Sequence, residues 1–180
     1  NRYFVRDVAA LVPDPDRRGR LARRGAAFAH LLAAALRDTE GLGRARPWLP
    51  PGEAVALGGL RNPGAAVLRA QSAELAALLR EGAITDILYG TLSEPLARMT
   101  AVQAGCERIH NTPLPYAYSL LLHRTAWIFC LLMPFGFVGT LGFGTPVVAA
   151  IFAYTLFGLD ALGDELEDPF GLEANDLALD

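Results

Sequence analysis

Acidic side chains at helical spacing near the C-terminus are the residues of this sequence best suited to chemistry. Asp160, Asp164, Glu167 and Asp168 follow one another at intervals of four, three and one residues. Side chains three or four residues apart lie on one face of a helix, where like charges repel. Such a face meets water, binds a cation or pairs with arginines from elsewhere in the chain. Oxygen ligands of this kind suit Ca²⁺ or Na⁺ better than a transition metal.

Two basic residues stand near the start of a long apolar segment. His123 and Arg124 lie about two helical turns beyond Tyr116. An ionised side chain at bilayer depth is energetically costly and indicates a functional site. The alternative is that the Arg124 guanidinium reaches the membrane interface, or pairs with an acid on a neighbouring helix.

An enzyme within the membrane would have to use His123 together with the face formed by Asp160 and Asp164. These side chains lie near the start of one predicted span and the end of the next, so an antiparallel hairpin places them at the same end. The sequence contains no nucleophile elbow, no phosphate-binding glycine loop and no zinc-protease helix. We therefore expect a protein that is not an enzyme.

The elements that must position these residues begin with an apolar run. No charged residue occurs from Thr125 to Leu159. One membrane crossing needs about 20 apolar residues, so the run and the residues before it suit two crossings, at about 116–138 and 145–162. The reversal between them is indicated by Gly139, Gly142, Gly144 and Pro146. The alternative is a hairpin buried in a soluble protein.

The rest of the sequence favours helices, and no strand-like alternation of any length occurs. Helical spacing of apolar residues predicts helices over 1–11, 16–37, 52–58, 65–79 and 84–106, with a loop rich in Gly and Pro over 41–52. Pro95 is expected to kink or interrupt the last of these helices, and Pro134 to kink the first span.

The predicted fold class is therefore an all-α helical membrane protein, with a two-span hairpin and a cytoplasmic helical bundle. The expected divisions are a cytoplasmic helical region over 1–112, a transmembrane hairpin over 113–163 and an acidic cytoplasmic tail over 164–180.

The charges are distributed unevenly. Every basic residue other than histidine is an arginine at or before Arg124, whereas residues 125–180 carry only acids. Arginine beside a membrane span usually marks the cytoplasmic side, and a hairpin returns the chain to the side it left. Both the arginine-rich front and the acidic tail are thus expected on the cytoplasmic side of the membrane. Nucleic acid is not expected as a partner, because the arginines are interleaved with acids and form no dense stripe.

Several strings of the sequence resemble the bestrophin family in its prokaryotic branch. They are ITDILYG, AVQAGCERIHNTPLPYAYSLLLHRT, CLLMPFGFV and YTLFGLDALGDELEDPFG. The resemblance implies a homopentameric channel in the lipid bilayer that passes monovalent ions passively along a central axis. It implies chloride or other anions by family, with sodium or another cation as the prokaryotic alternative. A membrane-anchored helical scaffold or sensor without transport is the competing interpretation.

The resemblance also implies roles for individual residues. Ile87, within ITDILYG, falls where the family places the apolar ring of its cytoplasmic aperture. The stretch with Asp168, Glu173 and Asp176 falls where eukaryotic members form a Ca²⁺ clasp. That stretch is diluted here by Leu172, Ala174 and Asn175. This dilution argues against Ca²⁺ gating, so no cofactor is expected.

The same resemblance implies that the family's first two membrane segments, including the one that lines the pore neck, precede residue 1. The 180-residue chain is therefore expected not to conduct ions by itself, whereas a protein with those segments is expected to conduct.

Overall fold

The structure of the chain is a computed structural model, which describes residues 1–112, 115–167, 169–172, 176–177 and 179. These residues contain helices, turns and bends but no strand. The predicted all-α fold class is thus confirmed. The chain divides into two compact units, one formed by residues 1–109 with Leu179 and the other by 110–178.

The helices have the following bounds: α1 Arg2–Leu11, α2 Pro15–Leu36, α3 Leu42–Ala45, α4 Pro51–Leu57, α5 Pro63–Arg80, α6 Asp86–Asn111, α7 Tyr116–Leu141 and α8 Thr145–Glu167. Short 3₁₀ turns follow α3, at Arg46–Trp48, and α7, at Gly142–Gly144.

Helices α2 and α5 of the first unit each begin with a proline that follows a capping residue. The Asp14 carboxylate accepts a 2.9 Å hydrogen bond from the amide of Asp16, and Pro15 begins α2. The Asn62 side chain accepts a 3.0 Å bond from the amide of Ala65, and Pro63 begins α5. A capping oxygen followed by proline satisfies a free amide and presets the helical φ angle.

The core of the first unit is built from apolar stripes at helical spacing. α2 lies at its centre and packs against α1, α3 and α5. The core stripes are Phe4, Val8 and Val12; Leu21, Phe28 and Leu31; Val67, Leu75 and Leu78; and Leu92, Leu96 and Met99. Burying a large apolar side chain stabilises a fold by about 1.5–3 kcal/mol, so these stripes account for the packing of the helices.

Ion pairs between arginines and glutamates join three helices of this unit. Arg20 donates two hydrogen bonds to Glu74, at 3.1 and 2.7 Å, and Arg24 also pairs with Glu74. The Nε of Arg24 lies 3.0 Å from both carboxylate oxygens of Glu53. The bond to Glu74 raises the pKa of Arg20. These arginines of α2 are therefore matched by acids of α4 and α5.

Three local expectations can be compared with the structure. Pro95 lies inside α6 without interrupting it, and the other expected effect, a kink, stays a prediction. Residues 41–52 are not a simple loop, because Gly41 and the prolines allow short helical turns to begin there. Helices α7 and α8 end at Leu141 and Glu167, beyond the predicted span ends at 138 and 162, and the bounds of the membrane spans stay a prediction.

Candidate functional site

The second unit contains a helical hairpin. α7 and α8 pack against each other, and the ring pairs Trp127–Phe157 and Phe129–Phe152 show that they run antiparallel. Gly142 reverses the chain with a φ of 49°, a left-handed conformation that glycine adopts readily. The two helices therefore meet along their length, and their free ends lie together.

The hairpin has the composition of a membrane segment. The stretch Tyr116–Glu165, which contains α7, the 3₁₀ turn and most of α8, is long and apolar enough to cross a membrane. Large apolar side chains project from it unburied, among them Leu121, Phe135 and Ile151. Exposed apolar surface on this scale marks contact with lipid or another protein segment.

A polar cluster joins the two helices near their free ends. The Nδ1 atom of His123 on α7 lies 2.6 Å from the Oδ2 atom of Asp160 on α8. The indole N–H of Trp127 donates a 3.0 Å bond to the Nε2 atom of the same histidine. Both ring nitrogens of His123 are thus engaged, one across the hairpin and one along its own helix.

Aromatic rings enclose this cluster on one side. Phe157 of α8 packs edge-to-face against Trp127, with ring centroids 5.0 Å apart, and against His123 at 6.4 Å. The Asp160 side chain is 18% exposed, whereas that of His123 is 53% exposed. The carboxylate is therefore mostly enclosed and satisfied by the histidine.

The predicted acidic face is only partly assembled as a group. Asp160, Asp164 and Glu167 all lie on α8, but Asp160 is engaged by His123 rather than by an arginine. The described residues contain no group of three or more His, Cys, Asp or Glu side chains that could hold a metal ion. The geometry thus gives Asp160 a role in joining the helices.

The clasp residues suggested by the family resemblance are mostly outside the described part of the chain. Asp168 and Glu173 lie outside the described residues. Asp176 is described, and it is half-buried in a bend after α8. Their role as a cation or Ca²⁺ site stays a prediction.

Ile87 lies in the first turn of α6 and is 76% exposed. The hydroxyl of Thr85 accepts a 3.3 Å bond from the amide of Leu88 and so stabilises this helix start. The buried stripe of α6, which contains Leu92 and Leu96, points another way. Ile87 therefore does not pack within the helical unit of its own chain, and its side chain is available to a neighbouring molecule.

The sequence analysis missed the part played by Trp127. Its place four residues after His123 was the available signal, because side chains at this spacing meet on a helix surface. From the sequence, a contact between His123 and Asp160 was considered only as part of an enzyme. The structure contains this contact, and among the described residues no nucleophilic side chain is hydrogen-bonded to His123.

Comparisons with known proteins place this architecture in a family. A sequence model described as Bacterial/Fungal Bestrophin protein matches residues 1–180. The chain is 48% identical over 179 residues to the voltage-dependent anion channel-forming protein mll4386 of Mesorhizobium japonicum, covering 99% of this chain and 58% of that protein. It is 39% identical over 180 residues to the voltage-dependent anion channel-forming protein YneE of Escherichia coli K12, covering 59% of that protein.

A solved structure gives the same result. The crystal structure of a bacterial bestrophin homologue from Klebsiella pneumoniae matches this chain with a TM-score of 0.92 at 37% identity, covering 99% of this chain and 66% of the other. The chain spans just under three fifths of the length of the two curated relatives. The helical fold, the membrane hairpin and the match along the whole sequence lead to one conclusion: this chain belongs to the bacterial and fungal bestrophin family and is a membrane protein.

Proposed function

We propose that this chain forms part of one subunit of a bestrophin-type channel, a homopentamer through which monovalent ions pass passively. The names of the relatives, which describe voltage-dependent anion channel formation, support chloride or another anion as the permeant ion. Sodium is the alternative, since the resemblance to the prokaryotic branch implies it. The protein acts without catalysis and without a cofactor.

The observation that carries this proposal is the exposed apolar side chain of Ile87. An isoleucine with 76% of its surface exposed, at the capped start of a long helix, exposes apolar surface that a second copy of the chain can cover. Five copies arranged around an axis would place five such side chains in one ring. Apolar constrictions of this kind gate ion flow by dewetting.

The proposed location is the bacterial inner membrane, crossed more than once. The cytoplasmic position proposed for both ends of the hairpin is supported by the charges there. Arg124 lies near the free end of α7, the other arginines precede it, and the acidic residues lie at the free end of α8 and after it.

The test is the reversal potential in planar bilayers under a NaCl gradient. The protein used has the full length of the curated relatives and contains this sequence, either unchanged or with Ile87→Ala. Val55→Ala is the matched control, because Val55 is equally exposed, at 77%, on α4 of the same unit.

A reversal near the Cl⁻ potential would assign an anion channel, and one near the Na⁺ potential a cation channel. Ile87→Ala is expected to change conductance or selectivity, whereas Val55→Ala is expected to change neither. A chelator of Ca²⁺ is expected to leave the current unchanged. Absence of current from every version would reject conduction and favour the scaffold interpretation.

A further inference from the structure

We propose that His123 is a proton-binding site that controls the position of the Trp127 side chain. The neutral imidazole accepts the indole hydrogen bond, and a proton bound at Nε2 releases the indole while the contact with Asp160 remains. The proposal concerns the hairpin alone and stands apart from the proposed conduction.

The bond from Trp127 determines the tautomer of His123. The indole nitrogen of Trp127 lies 3.0 Å from Nε2 of His123, and an indole N–H is only ever a donor. The Nε2 atom must therefore present its lone pair. The ring proton then belongs on Nδ1, 2.6 Å from the Asp160 carboxylate, which accepts it. The geometry assigns a neutral imidazole with its proton on Nδ1.

A proton added to this imidazole ring has one nitrogen at which to bind. The vacant position is Nε2, and a proton there would face the proton of the indole. Because two donors cannot share one hydrogen bond, the bond between His123 and Trp127 has to break. The bond to the Asp160 carboxylate then joins two opposite charges and becomes stronger. Proton uptake thus keeps the two helices joined and frees the indole.

The freed indole would disturb a second contact across the hairpin. Trp127 packs edge-to-face against Phe157 of α8 at 5.0 Å, and such ring pairs stabilise packing beyond the area that they bury. The Trp127 ring is already 57% exposed, so it has room to move. The protonation state of His123 therefore affects the packing of α7 against α8.

Both helices carry charged groups at the end of the hairpin where His123 lies. On α8 the nearest is Asp160, which contacts the ring. On α7, Arg124 follows His123 directly in the sequence. The remaining titratable groups at this end of the hairpin are Tyr116 and Tyr118 on α7 and Asp164, Glu165 and Glu167 on α8. Histidine in general changes charge between about pH 5 and pH 8, which sets the range to examine.

Nitrogen NMR of the chain, labelled with ¹⁵N-histidine and reconstituted in lipid nanodiscs, tests the tautomer directly. Three histidines occur in the chain, and His123→Gln identifies the signals of His123 by their loss. At about pH 8 we expect a protonated Nδ1 and an unprotonated Nε2. The opposite tautomer, with the proton on Nε2, would overturn the proposal without reference to any variant.

Tryptophan fluorescence tests the release of the indole. Trp48→Phe leaves Trp127 as the single tryptophan, which is necessary because Trp48 itself stacks on His30 with centroids 6.2 Å apart. On acidification from about pH 8 to about pH 5, the Trp127 emission is expected to shift in step with protonation of His123 seen by NMR. The same chain with His123→Gln is expected to show no shift over this range. An emission that stays constant while His123 takes up its proton, or a shift that persists without the histidine, would reject the mechanism.

Discussion

His123 and Asp160 lie 37 positions apart in the sequence and meet across the hairpin, with 2.6 Å between Nδ1 and Oδ2. The 3₁₀ turn at Gly142–Gly144 joins α7 and α8 at one end, and this bond joins them near the other. The hairpin is therefore closed by the chain turn at one end and by a polar contact near the other, with aromatic packing between them. A chain segment of this composition has few other polar groups with which to fix the register of its helices.

We expect the two partners to be energetically coupled. A double-mutant cycle with His123→Ala and Asp160→Asn should give a coupling energy of about 0.5–1.5 kcal/mol, the range found for hydrogen bonds between membrane helices. The measurement is the unfolding free energy of the chain in mixed micelles as the fraction of denaturing detergent rises.

Asp164→Asn provides the matched cycle for this prediction. Asp164 lies one turn from Asp160 on the same helix, and Asp164 is exposed. Its coupling to His123→Ala should be close to zero. Equal coupling for both acids would mean that the general negative charge of α8, rather than the bond to Asp160, is responsible.

Glu74 is expected to stabilise the first unit through its two arginine partners. Its side chain is 12% exposed, and Glu74→Gln would leave Arg20 without its hydrogen-bonded counter-charge and Arg24 paired with Glu53 alone. Removing one member of a buried pair costs about 3–5 kcal/mol; partial exposure of Arg20 lowers the expected loss to about 2–3 kcal/mol. Chemical denaturation followed by the fluorescence of Trp48, in a Trp127→Phe background, measures it.

Two controls sharpen the Glu74 prediction. Glu94→Gln removes an exposed pair with Arg98 and should cost less than about 0.5 kcal/mol. The pH dependence follows from Arg20, whose pKa is raised by Glu74. Such a contribution is complete below the ordinary pKa of arginine and is lost only as pH rises through the higher folded value. The loss of unfolding free energy caused by Glu74→Gln should thus be the same at about pH 7 and about pH 10. A loss seen at only one of these two pH values would contradict the prediction.

Two isoleucines three residues apart should respond differently to truncation. Ile84 is 4% exposed and belongs to the core, so Ile84→Ala should cost about 2–4 kcal/mol. Ile87 is mostly exposed, so Ile87→Ala should change the unfolding free energy of this chain by less than about 0.5 kcal/mol. The same denaturation experiment compares them. A large cost at Ile87 would show that it packs within its own chain after all.

Gly41 is expected to tolerate no side chain. A Cβ atom placed there would lie 2.5 Å from Cβ of Ala34 and 3.5 Å from Cα of Leu31, so Gly41→Ala should destabilise the chain by about 1–3 kcal/mol. Gly52 has no atom within 4 Å of such a position, and Gly52→Ala should stay within about 0.5 kcal/mol of the unchanged chain. Thermal unfolding followed by circular dichroism distinguishes the two.

Much of the fold follows from local patterns in the sequence. The uncharged run from Thr125 to Leu159 predicts the hairpin, and Gly142 lies where the reversal occurs. The apolar spacing that predicts helices over 16–37 and 65–79 is matched by α2 and α5 to within two residues at each end. Pro95 is expected to kink or interrupt α6, and the core contacts of Leu92, Leu96 and Met99 explain why the helix is not interrupted there.

The sequence by itself determined that this protein is helical, that it carries a membrane hairpin and that it resembles the bestrophin family. Each of these depends on spacing within a short segment or on a string of residues. Only the tertiary structure decided which charges meet: Asp160 with His123, and Glu74 with Arg20 and Arg24. Such partners come from different helices, and the register between packed helices is set by side-chain packing along their whole length. Local spacing does not determine that register. The sequence therefore left water, a cation and an arginine as possible partners of Asp160, and it did not identify His123 as the partner.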